Sequence, residues 1–250
     1  MTTALPAAAT RRWRRDWDPM MDDYLPGRDA CLTAGFDAVD KILGRPPSAV
    51  LDLGGGPGTT VEAVLRRWPY GRAVLVDVDP VLLALARAAL PASASVLRAD
   101  LGAPAWRAGV GGPYDVVLLV MTLHYLPEKR VRELYGEIRR VLTPDGVLLV
   151  ADTVPTADGS PRPDRTTGRN GAGNPDLWSR WWSGIAGEPA LGAPLRERTE
   201  TMTGVTSAEF VADLAWHRAA TLAAGFRACR TVWRSGEHAL LALHDDTPRR

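Results

Sequence analysis

The chain has 250 residues and a formal net charge of +1, with 30 Lys and Arg against 29 Asp and Glu. This balance gives no global field that would draw the protein to nucleic acid or to an acidic membrane surface. The two cysteines, Cys31 and Cys229, indicate no disulfide framework and fit a reducing compartment. No apolar run approaches the roughly 20 residues that cross a bilayer. The length is enough for one large α/β domain with a decorated edge, and an apolar fraction of 46% is ordinary for a globular protein.

The N-terminal region is predicted to contain two helices behind a short arm. Residues 1–10 are rich in Ala, Thr and Pro, and we expect them to be disordered. The basic cluster at 11–15 is followed by acidic residues and not by an apolar stretch, so we interpret it as a solvated arm and not as an export signal. We therefore expect a cytoplasmic protein. The helices are predicted over Trp13–Tyr24 and Asp29–Leu43, and Gly44 ends the second.

From Ala49 onward, short apolar runs alternate with amphipathic stretches, which is typical of parallel βαβ units with helices on both faces of the sheet. The predicted strands are Ala49–Leu53, Ala73–Val76, Ser95–Leu97, Asp115–Val120 and Gly146–Ala151. The predicted helices between them are Thr59–Trp68, Val81–Ala89 and Lys129–Leu142.

After the fifth strand the composition changes. Pro155–Asn174 is rich in Pro, Gly, Arg and Asn and predicts a loop, which a short helix, Leu177–Ile185, follows. A long helix is predicted over Ser207–Ala224 with Ser207 as its N-cap. Two strands then close the chain, Arg230–Arg234 and His238–Leu243, joined by a tight turn at 235–237.

The first strand ends in a glycine-rich turn that opens a helix. Gly54, Gly56 and Gly58 remove Cβ atoms where the backbone turns sharply and a ligand must come close. A dinucleotide fingerprint would place a third glycine at the sixth position from Gly54, where this chain has Thr59. The spacing therefore disfavours a hydride-transferring enzyme.

Acidic residues follow the second and third strands. Asp77, about 20 residues beyond the glycines, is placed to accept hydrogen bonds from two ribose hydroxyls. Asp79 precedes Pro80 and is predicted to cap the next helix instead. Asp100 follows the third strand, where its carboxylate can accept a hydrogen bond from an exocyclic amine.

With Tyr114–Val120 and the turn Leu142–Gly146, these motifs resemble the class I S-adenosylmethionine-dependent methyltransferases of the small-molecule type over Ala49–Asp152. The resemblance implies Gly54 and Gly56 against the methionyl part, Asp77 on the ribose, and Val78 against the adenine. Asp100 then meets the adenine amine, and the backbone near Val120 meets the methionine amino group. The cofactor-contact residues it implies are, in full, Tyr24, Arg28, Asp52, Gly54, Gly55, Gly56, Asp77, Val78, Asp100, Leu101, Val120 and Met121.

Two of these positions carry alternatives. Tyr24 to Arg28 resembles a lead-in in which an arginine meets the cofactor carboxylate, but Arg28 also fits a surface arginine at a helix start. Gly55 stands where many members have Cys or Thr.

The resemblance implies a Rossmann-like, seven-stranded, mostly parallel α/β sheet with an antiparallel last strand. It divides the chain into an N-terminal arm and helices covering the cofactor site (1–47), a cofactor-binding core (48–153), a substrate lid (154–206), and a C-terminal helix and hairpin (207–250) that complete the core. No metal is expected.

His124 is the leading candidate for a general base, because it follows the fourth strand at the ligand-facing edge and titrates near neutrality. The alternative is a structural loop histidine. Asp152 ends the fifth strand and is a base, a substrate anchor or a cap, while His217 in the late helix is a further catalytic candidate with packing as its alternative.

The acceptor pocket is predicted around Tyr125 and three tryptophans. Trp178, Trp181 and Trp182 share one helical face, where they either wall an apolar pocket or dock the helix onto the domain.

These residues predict methyl transfer to an O, N or C nucleophile of a small apolar or aromatic molecule, such as a secondary metabolite. Nucleic acid is not expected as a substrate, because there is no basic stripe and no motif for flipped bases. A protein of this fold with non-methylating chemistry or an accessory role is the alternative, and the sequence leaves a homodimer open.

Overall fold

The computed structural model describes residues 5–156, 175–203 and 206–245. Within these ranges the helices are α1 (Ala7–Tyr24), α2 (Arg28–Leu43), α3 (Thr59–Arg67), α4 (Pro80–Ala89), α5 (Glu128–Val141), α6 (Pro175–Ala186), α7 (Gly192–Met202) and α8 (Leu214–Ala223). The strands are β1 (Ala49–Leu53), β2 (Arg72–Asp77), β3 (Ala94–Arg98), β4 (Tyr114–Val120), β5 (Leu142–Thr153), β6 (Ala228–Ser235) and β7 (His238–His244). Short 3₁₀ turns lie at Pro104–Gly109, Leu123–Tyr125 and Pro189–Leu191.

The seven strands form one sheet in the order β3-β2-β1-β4-β5-β7-β6. The pairs among β1 to β5 are parallel, whereas β7 runs antiparallel to both β5 and β6. The predicted mostly parallel sheet with an antiparallel last strand is thus confirmed. The strand order reverses between β1 and β4, and in open α/β sheets such a switch point opens a crevice at the carboxyl ends of the strands.

The central strands are mostly apolar because helices cover both faces of the sheet. Along β5, Leu148 and Val150 face the cluster that α5 and α8 supply, and Leu149 and Ala151 face the cluster that α2 supplies. All five residues of β1 are buried. The carboxyl ends of β1, β2, β4 and β5 are therefore held at fixed positions around the crevice.

The prediction of disorder over residues 1–10 is wrong for its second half, because α1 begins at Ala7. The helix is held by Trp13, Trp17 and Met20, which are buried against α4 and α6. Tertiary burial of this apolar stripe extends the helix through the alanine-rich segment, and alanine favours helix formation.

The predicted helix over Ser207–Ala224 is wrong at its start. Residues 206–213 are not helical, and α8 begins at Leu214 with Asp213 as its N-cap, whose side chain accepts a hydrogen bond from the Trp216 N–H. The sequence also gave no signal for α7, which packs on α4. Most of the predicted Pro155–Asn174 loop lies outside the described residues.

None of the described helices is both long enough and apolar enough to span a membrane.

Candidate functional site

The glycine turn, residues 54–58, lies at the carboxyl end of β1. The N–H groups of Gly54 and Gly55 both donate to the carbonyl of Val76 at the end of β2, at 2.8 and 3.2 Å. Gly54, Gly56 and Gly58 all have positive φ, the region that only glycine adopts without strain. The turn is therefore pinned to β2, and its backbone approaches the crevice without intervening side chains.

Asp77 links this turn to the tip of β2. Its Oδ2 accepts from the Gly56 N–H at 2.8 Å, and its Oδ1 accepts from the Asp79 N–H at 2.9 Å. Burial raises the pKa of Asp77 to about 6, against the lowering effect of these backbone hydrogen bonds. Each carboxylate oxygen has a second lone pair, so Asp77 retains capacity for two ligand hydroxyls.

Asp79 has the capping role that the sequence predicts. Its Oδ1 accepts from the N–H groups of Val81 and Leu82 at the start of α4, and Oδ2 pairs with Arg198 Nε at 2.6 Å. The Arg198 guanidinium also lies 3.8 Å from the ring centre of Trp182. Asp79 is thus occupied by structural contacts, and of these two acids Asp77 is the one that hydrogen-bonds to the glycine turn.

A buried carboxylate without a partner lies under the glycine turn. Asp52 is 1% exposed, and its Oδ2 accepts no hydrogen bond from any described group. Burial raises the pKa of Asp52 to about 7, although the nearby Arg28 charge opposes this. A Cβ on Gly55 would lie 2.6 Å from the same oxygen, so a larger residue here would require the Asp52 side chain to shift. Such an orphaned carboxylate fits a ligand that brings a donor or a positive charge.

Arg28 is 8% exposed and is therefore not a surface arginine. Its Nη2 donates to Thr59 Oγ1 and Thr60 Oγ1 at 2.9 and 3.0 Å, at the start of α3 just after the glycine turn. Its Nη1 lies 3.3 Å from Asp18 Oδ1 on α1. The guanidinium thus lies beside the glycine turn, which is the position expected of an arginine that binds the carboxylate of the ligand.

The opposite wall of the crevice follows β4. Thr122 packs directly on the turn, since a Cβ at Gly54 would lie 2.4 Å from Thr122 Oγ1, which itself donates to the carbonyl of Val120. Met121 has φ of 51°. A left-handed conformation is uncommon for methionine, and strain of this kind concentrates at ligand-binding turns.

His124 and Asp152 form a hydrogen-bonded pair beyond Thr122. His124 Nδ1 lies 2.9 Å from Asp152 Oδ1, while Asp152 Oδ2 accepts from the N–H groups of Thr122 and Leu123 at 3.2 and 2.9 Å. Burial lowers the pKa of His124, but the hydrogen bond and charge of Asp152, with the charge of Glu209, outweigh it and raise the pKa above 6.5. A proton on Nδ1 leaves Nε2 with a free lone pair that can accept a proton.

His217 lies apart from this pair in the hydrogen-bonding network. Its ring is 2% exposed, its Nδ1 lies 2.8 Å from the Tyr135 hydroxyl on α5, and burial lowers its pKa to about 4. A ring enclosed in this way packs α8 onto α5. The structure therefore supports the packing interpretation of His217 and not the catalytic one.

The three tryptophans of α6 differ in their surroundings. Trp181 is 5% exposed, and its indole N–H donates to the carbonyl of Trp13 on α1. Trp178 is only partly buried, with its ring 6.0 Å from both Trp17 and Tyr24. Trp17 in turn lies over the glycine turn, where a Cβ at Gly56 would come within 3.4 Å of its ring. Trp181 thus docks the helix, whereas Trp178 and Tyr24 continue toward the crevice.

The remaining predicted contacts lie along the same edge. Val78 and Val120 are partly buried at the ends of β2 and β4. Asp100 is exposed, and its Oδ1 accepts from the Gly102 N–H, while Leu101 is buried with its carbonyl bound by Arg130. Tyr125 is 52% exposed, with its ring centre 4.2 Å from that of His124.

Sequence reasoning missed three contributors: Thr122, Trp17 and the segment 206–213. The signal for Thr122 was its position between the fourth strand and His124. Nothing in the sequence indicates that Phe210 and Ala208 donate hydrogen bonds to the carbonyls of His124 and Tyr125. Among the described residues, no group of three or more His, Cys, Asp or Glu is arranged to hold a metal ion.

Comparison with known proteins agrees with this geometry. Residues 50–146 match the family model described as a methyltransferase domain. This span begins in β1 and ends in β5, so it contains the glycine turn, Asp77, Asp100 and His124.

Several curated proteins named trans-aconitate 2-methyltransferase are similar to the chain. The one from Azoarcus sp. (strain BH72) is 34% identical over 134 residues, which are 53% of this chain and 50% of that protein. The one from Streptomyces avermitilis is 32% identical over 114 residues, 44% and 42% of the two chains. The chain thus matches about half the length, or less, of these relatives.

Solved structures share the fold at low sequence identity. Human N-acetylserotonin methyltransferase in complex with S-adenosylmethionine superposes with a TM-score of 0.56 at 16% identity, covering 88% of this chain and 51% of that one. An O-methyltransferase family protein from Burkholderia thailandensis gives 0.55 at 23% identity, with 99% and 65% covered. These likenesses show the fold alone.

Proposed function

We propose that this chain, whose residues 50–146 match a methyltransferase domain, is a class I S-adenosylmethionine-dependent methyltransferase that transfers a methyl group to a proton-bearing nucleophile of a small molecule. The observation that carries the proposal is a continuous set of contacts. Gly54 packs on Thr122, Thr122 donates to Asp152, and Asp152 holds His124. The glycine turn and the candidate base are thereby connected across the crevice through Thr122 and Asp152.

The residues around the glycine turn fit S-adenosylmethionine. Asp77 would accept from the ribose hydroxyls, Arg28 would meet the methionine carboxylate, and the orphaned oxygen of Asp52 suits the positive charges of the same ligand. The remaining proposed contacts follow the edge of the sheet: Tyr24, Gly54, Gly55, Gly56, Val78, Asp100, Leu101, Val120 and Met121. When bound, S-adenosylmethionine supplies a sulfonium methyl that is already activated for displacement.

The chain's own contribution is position and proton transfer. Holding an acceptor close to the methyl and in line with it is worth roughly 7–11 kcal/mol at best. His124 Nε2 accepts the proton of the nucleophile, and Asp152 fixes the ring through Nδ1 and stabilises the imidazolium that forms. Asp152 is therefore a positioning residue in this proposal, a role that differs from the base, substrate anchor and cap that the sequence left open.

The acceptor would lie between His124 and the partly buried aromatic side chains. Trp178, Tyr24 and the exposed ring of Tyr125 favour a flat or apolar molecule over a sugar phosphate. A secondary metabolite with a hydroxyl, amine or activated carbon satisfies this description. The shared name of the curated relatives makes trans-aconitate, a tricarboxylic acid, the alternative acceptor.

The test is release of S-adenosylhomocysteine, measured by mass spectrometry, from purified protein with S-adenosylmethionine and a panel of phenols, aromatic amines and trans-aconitate. We expect release with an aromatic acceptor and loss of that release in His124→Ala. Tight cofactor binding with no release from any acceptor would instead favour a cofactor-binding protein with a non-methylating or accessory role.

A further inference from the structure

The segment 206–213, which we call the strap, crosses the His124 turn and is fixed on both sides of its midpoint. The Phe210 N–H donates to the His124 carbonyl at 3.0 Å, and the Ala208 N–H donates to the Tyr125 carbonyl at 3.3 Å. The Phe210 ring packs edge-on against Trp216 of α8, with ring centres 4.9 Å apart. Glu209 therefore lies between two backbone anchors on the turn that carries the candidate base.

Glu209 is held in an unusual conformation. Its φ is 47°, and among the described residues only Met121 shares a positive φ without being glycine. Its N–H donates to Ser207 Oγ at 3.3 Å, which closes a local turn on the N-terminal side. These two residues with left-handed backbone thus lie on either side of His124. Met121 precedes it by three positions in the sequence, and Glu209 is brought next to it by the backbone hydrogen bonds of the strap.

Charged groups act on His124 from three elements. Asp152 lies on β5 and Glu209 lies in the strap, and the negative charge of each carboxylate raises the pKa of the His124 imidazole. His238 comes from β7 and is itself influenced by His124, Asp152 and Glu237. Asp152 is 3% exposed and already bound to backbone N–H groups, whereas Glu209 is exposed.

We propose that Glu209 is a positioning and specificity residue: the strap holds its carboxylate beside His124, where it repels acceptors that carry a carboxylate next to the reacting atom. The inference rests on the proposed function and narrows its acceptor class to neutral or cationic molecules. Trans-aconitate, the tricarboxylic acid in the names of the curated relatives, is therefore not expected to be an acceptor for this chain.

Within the part of the chain that the structure describes, three arginines near this edge already have hydrogen-bond partners. Arg28 is bound to Thr59, Thr60 and Asp18, and Arg198 is bound to Asp79. Arg234 donates to the carbonyl of Val154. An anionic acceptor at His124 would therefore meet two carboxylates, while Arg198 and Arg234 already have other partners and Arg28 is assigned to the carboxylate of the cofactor.

The test uses His124 as the probe and needs no acceptor. Iodoacetate and iodoacetamide both alkylate a neutral imidazole by displacement of iodide, and they differ mainly in charge. We would measure both rates at His124 by peptide mass spectrometry in wild type, Glu209→Gln, Glu209→Asp and the control Glu237→Gln. A change in the neutral fraction of His124 affects both reagents equally, so the ratio of rates reports the local charge.

We expect the iodoacetate to iodoacetamide ratio to rise about threefold or more in Glu209→Gln, because removal of a neighbouring negative charge removes electrostatic repulsion of the anionic reagent. The ratio should stay near wild type in Glu209→Asp and Glu237→Gln, and the difference should shrink at 1 M salt. By NMR titration, the pKa of His124 should fall in Glu209→Gln, because a neighbouring negative charge is lost.

An unchanged ratio together with an unchanged His124 titration in Glu209→Gln would overturn the proposal, as would release of S-adenosylhomocysteine by the wild type with trans-aconitate. Failure of the wild type to bind S-adenosylmethionine would overturn the proposed function alone, because the alkylation ratio is measured without that ligand.

Discussion

The two sides of the crevice are built in different ways. The cofactor side, comprising the glycine turn with Asp77 and Asp79, is closed by hydrogen bonds that backbone N–H groups donate to carbonyls and to these two carboxylates, all within residues 54–82. The acceptor side joins groups that lie far apart in the chain, since His124 contacts both Asp152 and the strap. Local chemistry thus sets the cofactor side, and only the completed fold sets the acceptor side.

If the two sides are separable, replacement of His124 should have the largest effect, which is a loss of kcat. His124→Ala should lower kcat by about 10²–10⁴-fold, because a positioned base is lost. The dissociation constant of S-adenosylmethionine, measured by calorimetry, should stay near that of the wild type because His124 lies on the other side. A parallel loss of cofactor affinity would show that the two sides are not separable.

A pair of tryptophans sharpens the same comparison within α6. Trp181→Ala should lower the free energy of unfolding by about 3–5 kcal/mol, because its ring is buried against α1. Trp178→Ala should cost less stability and should raise the KM of the acceptor. Chemical denaturation and steady-state kinetics on both variants distinguish the roles, and equal stability losses with unchanged KM would make α6 a packing element only.

The two acids after β2 should separate binding from stability. Asp77→Ala should weaken the binding of S-adenosylmethionine by roughly ten- to hundredfold, since a charge-assisted hydrogen bond is worth about 1.5–3 kcal/mol. Asp79→Ala is the matched control, which should lose about 1 kcal/mol of stability as a helix cap with little change in affinity. An unchanged dissociation constant in Asp77→Ala would refute the ribose assignment.

The smallest expected effect is a shift in the pKa of His124. The Asp152 carboxylate stabilises the protonated ring, so the pKa of His124 should lie above 6.5 in the wild type and should fall in Asp152→Asn. NMR titration of the His124 ring checks both values. Since the base must be neutral, wild-type activity should decline as the pH falls through that pKa, and a decline centred below 6.5 would argue against the pair.

What the sequence could predict follows the same division. Asp79 was assigned as a cap because Asp-Pro before an apolar helix is a local signal, and the structure agrees. Ser207 carries the same kind of signal, yet its hydroxyl accepts from Glu209 in a local turn while Asp213 caps α8. The difference arises because the strap's N–H groups bind the His124 turn, a tertiary contact that competes with helix formation.

Burial explains the other departures. Residues 7–12 resemble a loose arm in composition, but the Trp13 and Trp17 rings anchor the helix that includes them. His124 and His217 are equally suitable bases by residue type, and only the position of Asp152 and the enclosure of His217 separate them. Such distinctions depend on which distant groups meet, and a single sequence does not record that.

The most direct test is calorimetric titration of the purified wild-type chain with S-adenosylmethionine and, in parallel, with NAD. Saturable binding of S-adenosylmethionine in the micromolar range, an order of magnitude typical of enzyme substrates, together with no binding of NAD, is the predicted result. Binding of NAD alone, or of neither ligand, would contradict the assignment of the glycine turn and Asp77 to the adenosyl sulfonium.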